Sequence, residues 1–298
     1  MKVLRLICTQ RIASFRKEGA DTNRMTYPLP PPSTVIGALH KACGYNTYHP
    51  MDVSIQGDYT TMHNKIMIAN MKFNQEIMTD RGKLVKLAMP GSLSSSYTII
   101  AETAKGGKLK ERKNVQVYDE PLYQEVLHLL EEKARTGKAP GLECFATIEK
   151  ELRHEELLND LYLIIYIKTD ENTLVDIKNN AYQIRCFGRS EDMIDLLDAR
   201  FVDLREETLD DEEIVNHYHA YVDYDIARSG RIYFQEYRGS AVGGTRYLLD
   251  KDYKIVDEKR VFNKVWALYA SQFAADEFGN GLYVDDDVNG QKLIVSFL

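Results

Sequence analysis

The sequence is poor in the residues that define several protein classes. Its 298 residues include one tryptophan and four cysteines. The cysteines have no Cys-x-x-Cys spacing, which argues against a zinc ribbon or a disulfide framework. No apolar run approaches the roughly 20 residues that a membrane-spanning helix needs. Residues 1–7 turn polar too early for a secretory signal, so we expect a cytoplasmic protein without a membrane partner.

Proline is also scarce, and half of the eight prolines lie close together, at Pro28, Pro30, Pro31 and Pro32. Each proline fixes its own φ and biases the preceding residue away from the helical region. Ser33 or Thr34 can then cap a helix over residues 34–43, which Gly44 can end. An extended arm that leads into a capped helix beside arginines would suit a phosphate backbone. A proline-rich loop before an ordinary core helix is the alternative.

The net charge of −7 would normally argue against a nucleic-acid partner, but the charge is unevenly distributed. Residues 1–50 carry seven basic and two acidic groups, and residues 81–113 carry eight and two. Residues 191–225 carry two basic and thirteen acidic groups. Local charge decides where a polyanion binds, because salt screens each patch beyond about 8–10 Å. Each patch alone could be a solvated face. Together they make a chance distribution less likely and predict two basic surfaces for a polyanion beside one acidic face.

Apolar patterning predicts an α+β fold. The unbroken run Leu-Tyr-Leu-Ile-Ile-Tyr-Ile at 161–167 has strand length and predicts the central buried strand. Asp170 can cap the helix after it. The predicted order is strand 3–10, helix 34–43, strand 53–59, an insertion, strand 161–167, helix 171–182 and strand 184–187. This order is that of a ferredoxin-like (RRM-like) antiparallel sheet domain, which we assign to residues 1–204.

Two regions are predicted around this core. Residues of about 75–158 form the insertion, which follows a strand at 66–73. Within it, basic arms and glycine turns at 80–113 predict a protruding β-hairpin, the thumb, and helices are predicted at 122–135 and 149–158. From residue 205 the chain is acidic and then rich in tyrosine and β-formers. This predicts a smaller β-rich C-terminal domain at 205–298.

Motifs for catalysis or metal binding are weak. His217 and His219 would face one side of a strand as a metal pair would, but no third ligand is evident. His154 lacks the second histidine that a zincin helix requires four residues later. The glycine-rich stretch 238–246 lacks the Gly-Lys-Ser/Thr ending of a P-loop. It is either a hairpin that contacts phosphates or a neighbouring subunit, or an inert turn. We expect no metal and no cofactor.

Two motifs carry a family resemblance. Ser14-Phe15-Arg16, followed by Tyr-Pro-Leu-Pro-Pro-Pro-Ser-Thr-Val-Ile-Gly at 27–37, resembles the amino-terminal signature of the CRISPR-associated Cas five family. Phe-Gly-Arg-Ser-Glu-Asp at 187–192 is similar to that family's glycine-containing segment after its second helix. The family is a branch of the repeat-associated RNA-binding (RAMP) proteins of type I Cascade interference complexes. The chain is most similar to the I-B branch. The resemblance implies a ferredoxin-like fold whose insertion is a thumb.

The resemblance also leaves a choice between two functions. One branch of the family cuts repeat RNA without metal, using a tyrosine, a lysine and a histidine, and its lysine–histidine pair lies just ahead of the second helix. Here that stretch, at 167–174, contains no histidine. The resemblance therefore implies a non-catalytic subunit that holds the 5′ handle of the CRISPR RNA and caps the backbone filament. The alternative is a metal-independent endoribonuclease that processes repeat RNA.

The implied partners are the 5′ handle of the CRISPR RNA and the backbone and large subunits, with target DNA near the protospacer-adjacent motif as a further candidate. Arginines and lysines would neutralise phosphates, and hydroxyl groups near the helix start would donate hydrogen bonds. Phe15 and Tyr27 are candidates for base stacking, although core packing suits Phe15 equally well. The predicted RNA-binding residues are Arg11, Ser14, Phe15, Arg16, Tyr27, Ser33, Thr34, Lys41, Lys105, Lys108, Lys110, Arg112, Lys113 and Arg189.

Overall fold

The computed structural model describes most of the chain. The described residues are 1–20, 23–74, 83–86, 110–112, 115–117, 120–207, 213–234, 236–237, 240–241, 243–257 and 259–298. Most of the predicted thumb at 80–113 therefore lies outside the described residues.

The described elements confirm an α+β fold whose sheets are mostly antiparallel. The helices are α1 (Pro32–Cys43), α2 (Glu120–Thr136), α3 (Glu171–Asn180) and α4 (Tyr224–Arg228). The first strands are β1 (Lys2–Ala13), β2 (Phe15–Arg16), β3 (Asn23–Arg24), β4 (Thr26–Tyr27), β5 (Asp52–Asp58), β6 (Thr61–Asn74), β7 (Lys83–Lys86), β8 (Lys110–Arg112), β9 (Val115–Val117), β10 (Phe145–Lys168) and β11 (Ile194–Asp203). The later strands are β12 (Ile214–Asn216), β13 (His219–Asp223), β14 (Ile232–Phe234), β15 (Glu236–Tyr237), β16 (Ser240–Ala241), β17 (Thr245–Val256), β18 (Lys259–Ala270), β19 (Phe273–Ala275), β20 (Leu282–Val288) and β21 (Gln291–Ser296).

The chain divides into two compact units. The first contains residues 1–65 and 155–298, and the second contains residues 66–154. The second unit covers most of the predicted insertion at 75–158. The boundary predicted at residue 205 falls inside the first unit, and it stays a prediction.

An antiparallel sheet runs through the first unit. Its strand order is β11-β1-β10-β5-β13-β18-β17. Side chains alternate along β10, so that Leu163 and Ile165 enter one apolar core while Ile164 and Tyr166 enter another. Burial on both faces explains the unbroken apolar run, which confirms the predicted central strand.

Two helices cover one face of this sheet. Helix α1 buries Val35, Ile36 and Leu39, and helix α3 buries Leu174 and Ile177, all in the same core. The opposite face is covered by the β20–β21 hairpin, whose apolar side chains share a core with those of β1 and β10. The sheet is therefore enclosed by helices on one side and by a hairpin on the other.

Two of the three predicted helix caps are confirmed. Asp170 accepts a hydrogen bond from the Thr173 N–H at 3.1 Å and caps α3 as predicted. Gly44 ends α1 with a left-handed φ of 69°, also as predicted. The cap expected from Ser33 or Thr34 is wrong, because α1 begins two residues earlier than Thr34. Pro32 occupies the first turn, where its missing N–H is not needed, and Pro31 stands at the cap position without a side-chain hydrogen bond.

Two predicted elements are wrong. Residues 149–158 were expected to be a helix from their glutamates and leucines, but they belong to strand β10. Pairing across the sheet overrides this local preference, and the alternating burial of Glu155 and Leu157 fits a strand. Residues 184–187 are not a strand, because Ile184 and Phe187 are the buried ends of a loop. The strand paired with β1 comes later, as β11.

The second unit has a smaller apolar core. Tyr123 and Val126 of α2 are buried with Phe145, and Leu129 and Leu130 pack against them. This confirms the amphipathic helix predicted at 122–135. Strand β7 pairs in parallel with β9, and β9 pairs in antiparallel fashion with β8. Among the described helices of the chain, none is both long and apolar enough to cross a membrane.

Candidate nucleic-acid interface

The two sequence motifs lie against each other in the structure. The Ser14 N–H donates to Asp192 Oδ2 at 3.1 Å, and the Gln10 Nε2 donates to the Phe187 carbonyl at 2.8 Å. Gly188 adopts a φ of 87°, and a Cβ there would lie 3.0 Å from the Ser14 carbonyl oxygen. A side chain at this position would be strained and crowded, so the glycine is required by the close approach of the two segments.

Phe15 is part of the core. Its side chain is 2% exposed, and its ring lies beside Gly188. The Phe15 N–H donates to the Thr26 hydroxyl at 2.8 Å, which joins the short strands β2 and β4. The stacking role considered for Phe15 is therefore excluded in this conformation, and core packing is its role. Ser14 is buried as well, and its backbone N–H is already bonded.

Arg189 is engaged within the protein. Its Nε and Nη2 atoms donate to the two carboxylate oxygens of Asp192 at 2.8 and 2.6 Å, and its Nη1 lies 2.8 Å from Glu155 Oε2. Glu155 and Asp192 are almost fully buried, whereas the Arg189 side chain is 22% exposed. The hydrogen bonds that Arg189 donates to Asp192 raise its pKa, and the nearby negative charges of Asp192, Glu155 and Glu191 raise it further. This arginine stabilises the junction of the two motifs, which differs from the predicted phosphate contact.

The proline segment lies against tyrosines of the carboxyl-terminal strands. Leu29 is fully buried, and its carbonyl accepts a hydrogen bond from the Tyr221 hydroxyl at 3.0 Å. The half-buried Tyr27 ring meets Tyr247 edge-on, with 5.5 Å between ring centroids. Lys17 Nζ lies over both rings, 5.8 Å from Tyr27 and 5.4 Å from Tyr247. Burial raises the pKa of Tyr27, and the charge of nearby Asp250 raises it further.

The outer side of α1 lines an open groove with a volume of about 560 Å³. Ser33, Thr34 and Lys41 lie in its wall, so the structure brings three predicted RNA-binding residues together at one surface. The loop after α1 and the strands β17 and β18 complete the groove. The remaining lining residues are Ile36, Gly37, His40, Tyr45, Asn46, Thr47, Tyr48, Lys251, Asp252, Tyr253, Ile255, Arg260 and Phe262.

The wall from β17 and β18 carries rings and cations on one face. Tyr253 lies opposite Phe262 across the strand pair, and Ile255 lies opposite Arg260. The Arg260 guanidinium lies 4.6 Å from the Tyr253 ring centroid. Tyr253 is 41% exposed, and Tyr48, from the loop after α1, is 46% exposed. Both rings therefore present accessible surface.

Acidic groups around the groove are already paired. Asp252 accepts hydrogen bonds from Asn263 Nδ2 and, at 3.4 Å, from the Tyr48 hydroxyl. Lys251 Nζ lies 2.5 Å from Asp52 Oδ1. Burial lowers the pKa of His40, which disfavours its charged form. The cations that remain for a ligand are Lys41 and Arg260, which are both exposed and have no ion-pair partner within the described part of the chain.

The other predicted RNA-binding residues lie apart from the groove or outside the described residues. Arg11 lies at the end of β1 and Arg16 in β2, and both are exposed. Lys110 and Arg112 belong to strand β8. Lys105, Lys108 and Lys113 lie outside the described residues.

His217 and His219 lie in different surroundings. His219 Nε2 lies 3.3 Å from Asp58 Oδ1, and its ring stacks near Tyr59 and Tyr269. His217 lies outside β13, beside Gln272. The described residues contain no group of three His, Cys, Asp or Glu side chains that could hold a metal ion.

A comparison with protein families decides the identity of the amino-terminal segment. Residues 3–86 match the sequence model of the family described as CRISPR-associated protein (Cas_Cas5). Residues 3–86 are therefore similar to the Cas five family. The match includes the whole proline signature, so it confirms the resemblance that the residues at 14–16 and 27–37 indicated. A comparison with curated proteins gives no significant match.

Solved structures similar to this chain include three from CRISPR systems. One, from a "CRISPR RNA-guided surveillance complex", has 12% identity and a TM-score of 0.45 over 93% of this chain and 91% of its own. A CRISPR protein from Archaeoglobus fulgidus has 12% identity and a TM-score of 0.40 over 99% of both chains. A chain from the Type III-B Cmr-beta complex bound to cognate target RNA and AMPPnP has 14% identity and a TM-score of 0.31, over 92% and 86%.

Sequence reasoning missed the groove residues contributed by β17 and β18. Tyr253 and Arg260 lie in the acidic, carboxyl-terminal part of the chain, about two hundred residues from α1. A signal was nevertheless present, because Lys251, Tyr253 and Ile255 alternate along one strand. Aromatic and basic residues that share a strand face are typical of single-stranded nucleic-acid sites.

Proposed function

We propose that this chain is a non-catalytic CRISPR RNA-binding subunit of a type I effector (Cascade) complex. It holds the 5′ handle of the guide RNA and caps the backbone filament. The similarity of residues 3–86 to the Cas five family supports a role in a CRISPR effector complex. The finer assignment has its main support in one observation about the signature region. Phe15, Leu29 and Arg189 are used to build the fold, whereas Arg11, Arg16 and Lys41 remain exposed.

The proposed fold of the RNA-binding domain is ferredoxin-like. The order β11-β1-β10-β5, with α1 and α3 against one face, supports this assignment. We further propose the I-B branch as the subtype, backbone and large subunits as partners, and target DNA near the protospacer-adjacent motif as an additional contact. We also propose residues 205–298 as a smaller, β-rich C-terminal domain.

We infer that the chain does not cleave RNA because the stretch that holds the lysine–histidine pair in the cutting branch differs here. Residues 167–174, which join β10 to α3, contain no histidine. A metal-independent ribonuclease needs a base for the 2′-hydroxyl and an acid for the leaving oxygen. His154, an exposed residue of the long strand β10, is the remaining candidate from the sequence.

The first test is RNA binding without cleavage. Purified protein incubated with its repeat RNA, without divalent metal, should retain the RNA in a gel shift and leave it intact on a denaturing gel. Handle-bearing guide RNA should bind more tightly than a scrambled strand of the same length. A discrete cut on the 3′ side of the repeat that disappears in His154→Ala would establish the endoribonuclease instead. Equal affinity for the handle and the scrambled strand would leave only non-specific binding.

The second test concerns the thumb. We expect alanine at Lys105, Lys108, Lys110, Arg112 and Lys113 to weaken RNA binding and to flatten its salt dependence. Each phosphate contact on a single strand contributes about 0.7 to the slope of log K against log salt, so five contacts would contribute about 3.5. The slope is measured by fluorescence anisotropy over a salt series. The control is Lys2→Ala/Lys178→Ala, two lysines that lie beside Phe201, which should leave the slope unchanged. An unchanged slope in the five-fold variant would mean that the thumb is only a solvated surface.

A further inference from the structure

We propose that the groove between α1 and the β17–β18 hairpin is a site for one short segment of single-stranded RNA, with a base stacked on Tyr253 or Tyr48 and phosphates held by Lys41 and Arg260. This inference rests on the proposed function, because it names where part of the guide RNA binds. It adds the carboxyl-terminal hairpin, which the amino-terminal signature does not include.

The first support is the charge of the groove. Lys41 approaches from α1, and Arg260 approaches from β18, so the two cations belong to opposite walls. The carboxylate of Asp252, the one acidic group among the lining residues, already accepts hydrogen bonds from Asn263 and Tyr48. The lining therefore carries three cations, of which Lys251 is paired with Asp52, against one carboxylate, so a ligand between the walls meets net positive charge. This pattern favours a phosphate backbone, since each cation neutralises a phosphate and releases its counterions.

The second support is the arrangement of rings. Tyr253 and Phe262 are neighbours across the two strands, with centroids 5.6 Å apart. Arg260 covers part of the Tyr253 ring, so an arginine plane and an aromatic plane are presented together. Tyr48 is held near His40, whose ring centroid lies 5.5 Å away. Bases stack on aromatic faces and on guanidinium planes without regard to sequence, which is how proteins hold unpaired RNA.

The third support is the size and polarity of the groove. Its volume of about 560 Å³ lies within the range of sites that hold small organic ligands, and it is partly open to solvent. Ser33, Thr34, Asn46 and Thr47 supply donors and acceptors at its edge. Such groups can bond base edges or a 2′-hydroxyl, and the 2′-hydroxyl distinguishes RNA from DNA. An extended strand can enter and leave such a groove, whereas an enclosed pocket would admit only a free nucleotide.

The test uses the full-length protein and a labelled oligouridylate of about 12 nucleotides that carries 5-iodouridine. We expect Tyr253→Ala to weaken binding by about 5- to 150-fold, the range measured for loss of one stacked base. Arg260→Gln should weaken binding and lower the salt slope by about 0.7. Photocrosslinks mapped by mass spectrometry should fall on Tyr48 or Tyr253. The oligodeoxyuridylate of the same length should bind more weakly than the RNA.

A matched control exists on the same two strands. Arg246 lies 4.5 Å from the Trp266 ring centroid, outside the groove, and forms an equivalent arginine–aromatic pair. Trp266→Ala and Arg246→Gln should bind the oligouridylate as the wild type does. Equal losses in both pairs, or crosslinks confined to Trp266, would overturn the groove assignment.

The outcomes also separate this inference from the proposed function. Tight, handle-specific binding that Tyr253→Ala and Arg260→Gln leave unchanged would refute the groove and preserve the RNA-binding subunit. Failure of the wild-type protein to bind any RNA would refute both. Equal binding of the deoxy strand would overturn the assignment of the groove to RNA.

Discussion

Alanine at Asp285 is expected to lower the free energy of unfolding by about 3–5 kcal/mol, because it leaves a buried arginine without its counter-charge. Asp285 Oδ2 lies 2.5 Å from Arg5 Nη1, and both side chains are almost fully buried, at 6% and 3% exposure. The Tyr166 hydroxyl donates to the same oxygen at 3.0 Å. The pair joins strand β1 to strand β20, which are 280 residues apart in sequence. Urea denaturation followed by circular dichroism measures the loss.

Two further variants test the cause of this loss. Arg5→Met/Tyr166→Phe/Asp285→Leu removes all three polar groups, and we expect it to regain most of the stability, since apolar residues of similar volume often replace a buried ion pair without cost. Asp198→Ala removes an ion pair with the exposed Arg200 at the surface, and its midpoint should stay close to that of the wild type. If Asp285→Ala had the same urea midpoint as the wild type, Arg5 would be donating to water or to another acceptor instead of Asp285.

The parts of the fold that could be predicted from sequence are those set by local chemistry. The run at 161–167 is apolar at every position, and only a strand buried on both faces accommodates it at that length. Asp170 and Gly44 act within one turn of their own positions, so their roles follow from the residue type. The apolar stripe of α2 likewise needs no partner from a distant part of the chain.

Other parts depended on residues far away in sequence. Residues 149–158 have the composition of a helix, but pairing within a sheet decides their structure. Strand β11 was not predicted because it contains several aspartates. These aspartates are interspersed with the residues that pack toward α3 and β1. The loop that precedes β11, at 184–193, had the apolar residues expected of the strand. The strand predicted from local composition therefore starts ten residues before β11.

The candidate site shows the same division. Ser33, Thr34 and Lys41 could be assigned to one surface because α1 itself places them there. Phe15 and Arg189 could not be assigned, since an aromatic ring or an arginine beside a glycine is equally suited to RNA and to a buried junction. What decides between the two is the presence of Glu155 and Asp192, two buried carboxylates that Arg189 contacts. Tyr253 and Arg260 are distant from α1 in sequence, and only the folded structure brings them to the same groove.

Alanine at Arg189 is expected to destabilise the fold rather than to weaken an RNA contact. The substitution leaves Asp192 without its two charge-assisted hydrogen bonds and leaves Glu155 with Arg24, at 3.5 Å, as its remaining ion-pair partner. Removal of one partner from a buried ion pair costs about 3–5 kcal/mol, and the partial exposure of Arg189 favours the lower part of this range. Urea denaturation at pH 7 measures the loss. Arg189→Lys should recover only part of it, because an ammonium group cannot reproduce the bidentate contact.

RNA binding provides the decisive comparison between the two roles of Arg189. At a temperature where Arg189→Ala remains folded, a structural arginine predicts that the variant binds handle RNA with nearly wild-type affinity and an unchanged salt slope. A phosphate contact would instead lower that slope by about 0.7 and weaken the binding without a change in the unfolding midpoint. Since Arg189 already contacts Asp192 and Glu155, its positive charge is offset before any RNA arrives. We therefore expect Arg189→Ala to lower the stability of the fold and to leave the RNA affinity unchanged. RNA recognition would then depend on the exposed cations of the signature region and the groove.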